Sequence, residues 1–322
     1  MRVAWLTALA IVACLACGGG IPLGAVPPDP IAFVRQEPAK GLLSLDAFRE
    51  GMQIRAFEEA GQARKPRLHT TLSLLTVPSG EVRSVPDAGE GSLPLDWSMD
   101  GLHLLIGRVD SAGGPIQLFS WNRLTGAYDR LSSERSSGAA ALADGPIRLA
   151  GVGRLLLPGG TASEGVIIEI DTEGTQPLPG GVGGIDPDIA PDGRTVVFVR
   201  APDAHSRREP VMLRSRLGEG EARPLGRGSS PRFSRDGQWI VFLRHRAGNA
   251  DVWLMRADGT RKRPIATSSY DEDFPAVSLH GDYVVYASAR GMVNESQLYM
   301  TRVADGEEIQ LTRTGQNGRP IW

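Results

Sequence analysis

A short motif returns along the chain at a nearly constant interval, and it constrains the fold more than any other feature. In the clear copies an Asp-Gly turn, or a close relative, stands just before an apolar run; these copies cover 97–101, 189–193, 233–237 and 277–281. A weaker copy covers 141–145, and Trp322 stands at the first position of one more. Successive first positions are 44, 48, 44, 44 and 45 residues apart. A period of about 45 residues is typical of a repeat architecture.

A second turn lies between successive copies of the first. It ends in a glycine in all six copies, namely Gly80, Gly126, Gly174, Gly220, Gly259 and Gly306. Short apolar runs rich in β-branched and aromatic residues flank both turns, as at 240–243 and 252–255. Such runs bounded by turn signals predict β-strands. Four strands per repeat of about 45 residues predict the blade of a β-propeller. We therefore expect an all-β, six-bladed propeller of four-stranded blades.

The two ends of the sequence predict how the ring closes. Residues 319–322 have the pattern of a blade's first strand, and residues 31–35 have the pattern of the strand that follows it. Two later runs, 72–77 and 82–85, would complete the same blade. We expect the C-terminal strand to pair with these N-terminal strands, because closure removes the exposed edges of a sheet.

The order of these elements resembles the TolB-like, PD40 branch of the WD40-like propellers. That repeat begins with a proline, which is followed after one residue by the motif Trp-Ser-Pro-Asp-Gly. Two strands, a second Asp-Gly turn and a final Leu-Thr come next. Residues 229–266 and 274–312 match it best, the latter ending in Leu311-Thr312. The resemblance covers about 27–322 except 36–66. It implies a TolB-like propeller without the additional N-terminal α/β domain of TolB, for which this sequence has no room.

The N-terminus has the pattern of a lipoprotein leader. An apolar run at 3–13 follows Arg2 and is shorter than the roughly 20 residues that a spanning helix needs. The chain's two cysteines, Cys14 and Cys17, end this leader. We expect residues 1–17 to be the signal peptide, with one of the two cysteines lipidated, and 18–30 to be a Gly/Pro-rich tether. An ordinary secretory peptide with incidental cysteines is the alternative. Lipidation implies that the protein lies in the periplasm or at the cell surface. The absence of Asp directly after either cysteine favours anchoring in the outer membrane.

Residues 36–66 interrupt the repeat and form an expected insertion within the 31–322 propeller. Leu45, Phe48 and Met52 are spaced as on one face of a helix, which predicts an amphipathic helix near 43–60, although Gly51 weakens it. Such an insertion either packs on the side of the propeller or binds a partner.

Charge and motif content narrow the function classes. Lys and Arg number 35 against 37 Asp and Glu, a net charge of -2, which argues against nucleic-acid binding. The sequence contains no G-x-S-x-G, Walker A or H-E-x-x-H motif; the nearest text, at 160–165, lacks the spacing of a nucleophile elbow. We therefore expect no catalytic residues, no cofactor and no metal.

Two acidic stretches stand where the resemblance implies a tunnel mouth, on the segments that lead into a blade's first strand. They contain Asp186, followed by Pro187, and the run Asp271, Glu272 and Asp273. We expect these four carboxylates to bind a partner, although they also suit solvated turns and strand caps. Converging carboxylates can also bind Ca²⁺, but Ser92, Ser229 and Gly318 at the corresponding positions of other blades make a complete ligand set less favourable.

Taken together, these features predict a non-catalytic, lipid-anchored envelope protein that is a protein-binding scaffold or a subunit of a larger membrane-associated complex. A metal-dependent hydrolase or lactonase that uses carboxylates in the central tunnel is the alternative, because fold alone does not select a function.

Overall fold

The structure is a computed structural model of the 322-residue chain. It describes residues 30–38, 68–77, 79–90, 92–98, 100–109, 116–134, 138–141, 147–151, 166–171, 174–177, 184–200, 209–216, 222–246, 249–290 and 296–322. The predicted signal peptide with Cys14 and Cys17, the tether at 18–29, and the possible helix near 43–60 lie outside the described residues. Among the described residues there is no helix with the length and hydropathy needed to cross a membrane.

The described residues form β-strands joined by turns. In chain order the strands are β1 (Ile31–Pro38), β2 (Leu68–Thr76), β3 (Glu81–Ser84), β4 (Leu93–Trp97), β5 (His103–Val109), β6 (Ile116–Asn122), β7 (Tyr128–Glu134), β8 (Gly138–Ala141), β9 (Ile147–Gly151), β10 (Val166–Asp171), β11 (Gly174–Pro177), β12 (Gly184–Ile189), β13 (Thr195–Arg200), β14 (Val211–Arg216), β15 (Arg223–Arg227), β16 (Ser229–Phe233), β17 (Trp239–Arg246), β18 (Asn249–Arg256), β19 (Arg263–Ala266), β20 (Glu272–Val277), β21 (Tyr283–Ser288), β22 (Gln297–Arg302), β23 (Glu308–Gln310) and β24 (Gln316–Ile321).

These strands pair into four-stranded antiparallel sheets around a central tunnel. The sheets are β24-β1-β2-β3, β4-β5-β6-β7, β11-β10-β9-β8, β12-β13-β14-β15, β16-β17-β18-β19 and β20-β21-β22-β23. In each sheet, the strand that leads into the motif is the innermost one, and it contacts the innermost strands of the sheets on both sides. These innermost strands are β24, β4, β8, β12, β16 and β20. The tunnel is the space that these strands enclose.

The expectation of a six-bladed propeller is corrected, because five blades and not six share the full plan. In each of those five the innermost strand pairs with its neighbour through a register shift. Sheet β8–β11 pairs without a shift, from Gly138↔Gly151 to Ala141↔Arg148, and the structure describes it by its backbone. Its inner strand reads Gly-Ala-Ala-Ala and lacks the proline found in the other five inner strands. Since a bulge bends and twists a strand, this sheet differs in kind from the five blades.

The ring is joined where the two ends of the chain meet. β24 pairs antiparallel with β1, with Ala32 opposite Ile321 and Val34 opposite Gly318. This is the pairing that the sequence predicts between the C-terminal and N-terminal strands. β1 continues to Pro38, so residues 36–38 of the expected insertion are part of the strand. The closing blade is therefore built from both ends of the chain.

Hydrophobic cores form between neighbouring blades. Ile31 and Phe33 of the closing blade pack with Tyr283 and Trp322, all nearly inaccessible to solvent. A second cluster joins Tyr286 of β21 to the strands of blade β16–β19. Burial of one such large side chain contributes on the order of 1.5–3 kcal/mol. The cores therefore link blade β20–β23 to the closing blade on one side and to blade β16–β19 on the other.

The recurring Asp-Gly turn ends each of four innermost strands in the same way. In blade β20–β23 the amide of Gly281 donates to the Ser278 carbonyl at 3.0 Å, and Ser278 Oγ accepts from the Tyr283 amide at 3.0 Å. Gly281 has φ +78, a conformation that glycine adopts at no steric cost. The same carbonyl bond to a turn glycine recurs at Gly101, Gly193 and Gly237.

Candidate functional site at the central tunnel

Four innermost strands contain a non-glycine residue in the left-handed region. Asp186, Ser230, Phe274 and Arg319 have φ between 48 and 51, and each is followed by a proline. Their spacing of 44, 44 and 45 residues places them at the same level of successive blades. Residues other than glycine adopt this conformation at a cost of about 1–3 kcal/mol, and such residues cluster at functional sites. We call this end of the tunnel, formed by Asp186, Asp271, Asp273, Phe274 and Arg319, the mouth.

The structure brings three of the four acidic residues predicted from the sequence to the mouth. The pKa of Asp273 is raised, first because the surrounding protein removes water from its carboxylate, and also because Asp186 and Asp271 are close enough to repel it. Arg319 partly offsets that repulsion. The Asp271 carboxylate accepts a hydrogen bond from the Ala250 amide at 2.8 Å, so it also holds the neighbouring blade.

Glu272, the fourth of these residues, has a different environment. Its side chain has no solvent-exposed area and lies 3.2 Å from Arg290 Nη2. Ser268 Oγ donates to the same carboxylate at 2.5 Å. Burial raises the pKa of Glu272, while the bonds from Ser268 and Arg290 act in the opposite direction. Glu272 therefore contributes to the interior of its blade and presents no carboxylate at the mouth.

An exposed aromatic residue stands among the acidic groups of the mouth. The Phe274 ring is 37% exposed and lies over the neighbouring closing blade. The guanidinium carbon of Arg319 lies 5.0 Å from the centroid of this ring, a cation–π arrangement. Tyr270, four residues earlier, is 46% exposed. Of the three large hydrophobic side chains that are exposed in the described parts of the chain, two are thus in the segment 270–274 and the third is Leu124.

Deeper in the tunnel, two more carboxylates and an arginine interact. The Asp188 carboxylate accepts a hydrogen bond from the Phe233 amide at 2.7 Å and lies 3.5 Å from Arg232 Nη1. The pKa of Asp96 is raised to about 8, first by loss of hydration and then by repulsion from Asp188. Its bond from the Trp97 amide and the charges of two arginines lower the pKa by less. The surroundings of Asp96 therefore favour its protonated form.

An arginine forms a hydrogen bond across the tunnel at the end opposite the mouth. Arg235 follows β16, is 7% exposed, and donates from Nη1 to the Ser98 carbonyl at 3.1 Å. Ser98 follows β4, which belongs to the blade on the opposite side of the ring. Since the two blades are not neighbours, this bond crosses the tunnel. Arg235 is at the third position of its motif copy, where the other clear copies have Met99, Pro191 and Leu279, so among these copies only this one has an arginine that can make the crossing.

The sequence analysis missed these interior groups, although a signal for them was present. Asp96, Asp188 and Arg232 each directly precede the first position of a motif copy, at 97, 189 and 233. That shared position places their side chains toward the tunnel. The repeat also shows that Asp186 corresponds to Phe274 and not to Asp273, because each lies three residues before its motif copy.

No group of three or more His, Cys, Asp or Glu side chains with metal-binding geometry occurs among the described residues. At the depth of Asp96 and Asp188, the ion pair to Arg232 means that a cation entering the tunnel would meet a positive charge as well as two carboxyl groups. Cys14 and Cys17, the predicted lipidation residues, lie outside the described part of the chain.

Comparisons with known proteins agree with the propeller fold. No family model matches the chain. An uncharacterized protein of Agrobacterium fabrum is 34% identical over 103 residues, which are 31% of this chain and 34% of that protein, so the match spans about a third of the relative.

Solved structures match over more of the chain. TolB from Acinetobacter baumannii superposes with a TM-score of 0.66 and 18% identity, over 91% of this chain and 66% of that chain. A putative TolB from Agrobacterium tumefaciens gives 0.58 and 18%, over 78% and 91%. The tricorn protease gives 0.55 and 16%, over 78% and 26%. These likenesses show the fold alone: the chain is a β-propeller, as are the solved structures that it matches.

Proposed function

We propose that this chain is a protein-binding propeller of the bacterial cell envelope, which docks a basic segment of a partner protein at the mouth. The observation that carries the proposal is the position of Phe274, an exposed ring on a strained backbone, with Asp186 and Asp273 beside it. The partner would be one protein of a larger membrane-associated assembly or a client of a scaffold.

This arrangement suits a protein partner for two physical reasons. Aromatic residues near the centre of an interface supply much of its binding energy when neighbouring contacts exclude water from them. Carboxylates around such an anchor attract a basic partner, raising the association rate and excluding acidic competitors. The strained φ of Phe274 and the cores between blades fix both features before the partner arrives, which lowers the entropic cost of binding.

The sequence supports an envelope location through its leader. We propose that the mature protein begins at a lipidated cysteine, Cys14 or Cys17, and is held at a bacterial membrane, with the outer membrane favoured. Intact-mass measurement of the protein purified from membranes tests this, because lipidation adds the mass of the acyl groups to a chain that begins at one of the two cysteines. A mass that fits an unmodified N-terminus beyond Gly20 would contradict it.

We also propose that the protein is not an enzyme and needs no cofactor. The fold leaves this open, since it is shared with proteins named TolB and with a protease. The support comes from the interior of the tunnel, where Asp188 is committed to the Phe233 amide and to Arg232. Hydrolysis of lactone substrates that requires the Asp96 and Asp188 carboxyl groups and an added divalent metal would overturn this part of the proposal.

A charge reversal tests the docking site. We expect Asp186→Lys with Asp273→Lys to abolish recovery of the partner from envelope extracts at low salt, because both changes place a cation where the partner's own cations bind. Asp271 is left intact, since its bond to the Ala250 amide holds the fold. Glu81→Lys with Asp129→Lys is the matched control, with the same charge change at exposed residues of β3 and β7. Equal recovery by both folded variants would move the site away from the mouth.

A further inference from the structure

Positive charge is concentrated in two neighbouring blades of a chain whose net charge is -2. The described residues of β12–β15 and β16–β19, with their turns, contain 14 Arg and Lys against 7 Asp and Glu. Five of the 14 cations lie on the two outermost strands or in the turn that leads into β19. This charge separation is invisible in the overall composition, which suggests a protein without a basic face.

Five of these cations form one surface, which we call the basic edge: Arg223, Arg227, Arg261, Lys262 and Arg263. All five are exposed. Arg223 and Arg227 are the two ends of β15, the outermost strand of its blade, and the other three lead into β19, the outermost strand of the next. The two parts are in contact, because Lys262 Nζ lies 3.1 Å from where a Cβ on Gly226 of β15 would stand.

The acidic residues that the structure describes in these two blades are mostly buried or accept hydrogen bonds from nearby amides. Asp192, Asp236 and Asp258 accept hydrogen bonds from the amides of their own turns at 2.7–3.0 Å. Asp251 is buried, and Glu209 accepts a bond from the His245 amide and lies 3.8 Å from Arg244. Asp186 and Asp188 belong to the tunnel. None of these described carboxylates forms an ion pair with a residue of the basic edge; Asp188 and Glu209 pair with Arg232 and Arg244.

Keeping this charge costs the fold some stability. Arg223 lies directly opposite Arg214 in the pairing of β14 with β15, and like charges in that position repel. Arg261 has φ +51, which is unfavourable for a residue with a side chain. Both costs fall on residues of the basic edge.

The chemistry of the edge fits a phosphate surface better than a protein interface. The exposed large hydrophobic residues in the described ranges are Leu124, Tyr270 and Phe274, so none lies on the edge to anchor a protein contact. Guanidinium groups bind phosphate oxygens in pairs, and each basic residue near an anionic bilayer strengthens adsorption. The predicted export leader favours a bilayer over nucleic acid as the source of phosphate. We propose that the basic edge lies against anionic phospholipid, leaving the mouth free for the partner.

Vesicle sedimentation of the full chain tests this proposal. Vesicles containing phosphatidylglycerol are compared with vesicles of phosphatidylcholine alone, so that any contribution from the apolar leader cancels in the difference. We expect Arg223→Glu with Arg261→Glu and Lys262→Glu to lower binding to the anionic vesicles by at least about 10-fold. The matched control is Arg83→Glu with Arg130→Glu and Arg313→Glu, three exposed arginines on other blades, and it should lower binding by less than about 3-fold.

Binding by the edge variant, the control variant and the wild type distinguishes the bilayer from other ligands of the basic edge. Selective loss of anionic-vesicle binding in the edge variant, with unchanged thermal unfolding, supports it, and persistence of wild-type binding in excess inorganic phosphate identifies the bilayer rather than free phosphate as the ligand. Equal loss in both variants would show a general charge effect and overturn it. Binding of a DNA duplex or an acidic protein through the edge, with no preference for anionic vesicles, would overturn it in favour of that partner.

Discussion

Alanine at Gly281 tests how the turns of the motif pack against the neighbouring blade. A Cβ on Gly281 would stand 2.4 Å from Cδ1 and Nε1 of the Trp239 ring, far inside van der Waals contact. Trp239 cannot withdraw freely, because the Arg256 guanidinium stacks on its ring at 4.1 Å. Gly306 is a matched control: it has the same φ of +78, and a Cβ there would have no atom within 4 Å.

The two glycines separate backbone strain from steric overlap. Alanine in the left-handed region costs about 1–2 kcal/mol, offset by about 0.4–1 kcal/mol from the lower entropy of the unfolded chain. Gly306→Ala should therefore lower the free energy of unfolding by roughly 1 kcal/mol. Overpacking adds about 1–3 kcal/mol, so Gly281→Ala should lower it by roughly 2–4 kcal/mol.

Urea unfolding followed by tryptophan fluorescence and circular dichroism measures the difference between these two variants. Both should unfold with the slope of the wild type, and Gly281→Ala should have the lower midpoint. In a Trp239→Ala background the two alanine variants should become equal, because the ring that causes the overlap is gone. Equal destabilisation of the two variants in the wild-type background would refute the packing of this turn on Trp239.

Four further predictions concern charge and ring closure. Since the pKa of Asp96 is raised to about 8 in the folded chain, its protonated form stabilises the fold fully below pH 4, and this stability is lost as pH rises toward 8. Asp96→Asn should therefore raise Tm at pH 9 by at least about 3 °C and change it little at pH 4, as scanning calorimetry can check. Asp100→Asn should do the reverse, losing stability at pH 7 but not in acid, because hydrogen bonds from Ser98 and Leu102 lower the pKa of Asp100; equal effects at both pH values would contradict either assignment. Arg290→Ala should lower the free energy of unfolding by about 3–5 kcal/mol in urea titrations, because it leaves the buried Glu272 carboxylate without its cation, and a loss below about 1 kcal/mol would contradict this role. Deletion of 319–322 should lower Tm by more than about 10 °C, since it removes Trp322 from the core and part of the β24–β1 pairing; an unchanged Tm would contradict closure by that strand.

The repeat in the sequence was sufficient to predict the strands and the join between the two ends of the chain. A period of about 45 residues fixes which strands are neighbours. Residues 319–322 have the pattern of a blade's first strand and residues 31–35 that of its second, so the two ends of the chain together supply one blade. The likeness among copies also led to the expectation of a six-bladed propeller, which the structure corrects to five blades. Copy 141–145 lacks the proline and the bulge of the others, a difference that depends on local backbone geometry.

The candidate site was predictable only in part. Sequence position placed Asp186 and Asp273 at the tunnel mouth, because leads into inner strands meet there. The burial of Glu272 was not predictable, since alternation along β20 turns it inward toward Arg290 while Asp273 faces the mouth. The bond from Arg235 to Ser98 joins residues 137 positions apart in opposite blades, and a local pattern cannot reveal a contact across the ring.

The docking of a partner at the mouth is tested most directly by site-specific photo-cross-linking. A photoreactive phenylalanine analogue replaces Phe274 in one version of the protein and Leu124 in another; these are exposed large hydrophobic residues on different blades. Irradiation of cells should give a covalent adduct of one envelope protein from position 274, lost when Asp186→Lys and Asp273→Lys are also present, and no such adduct from position 124. An adduct with the same protein from position 124, or one from position 274 that survives the charge reversal, would contradict docking at the mouth.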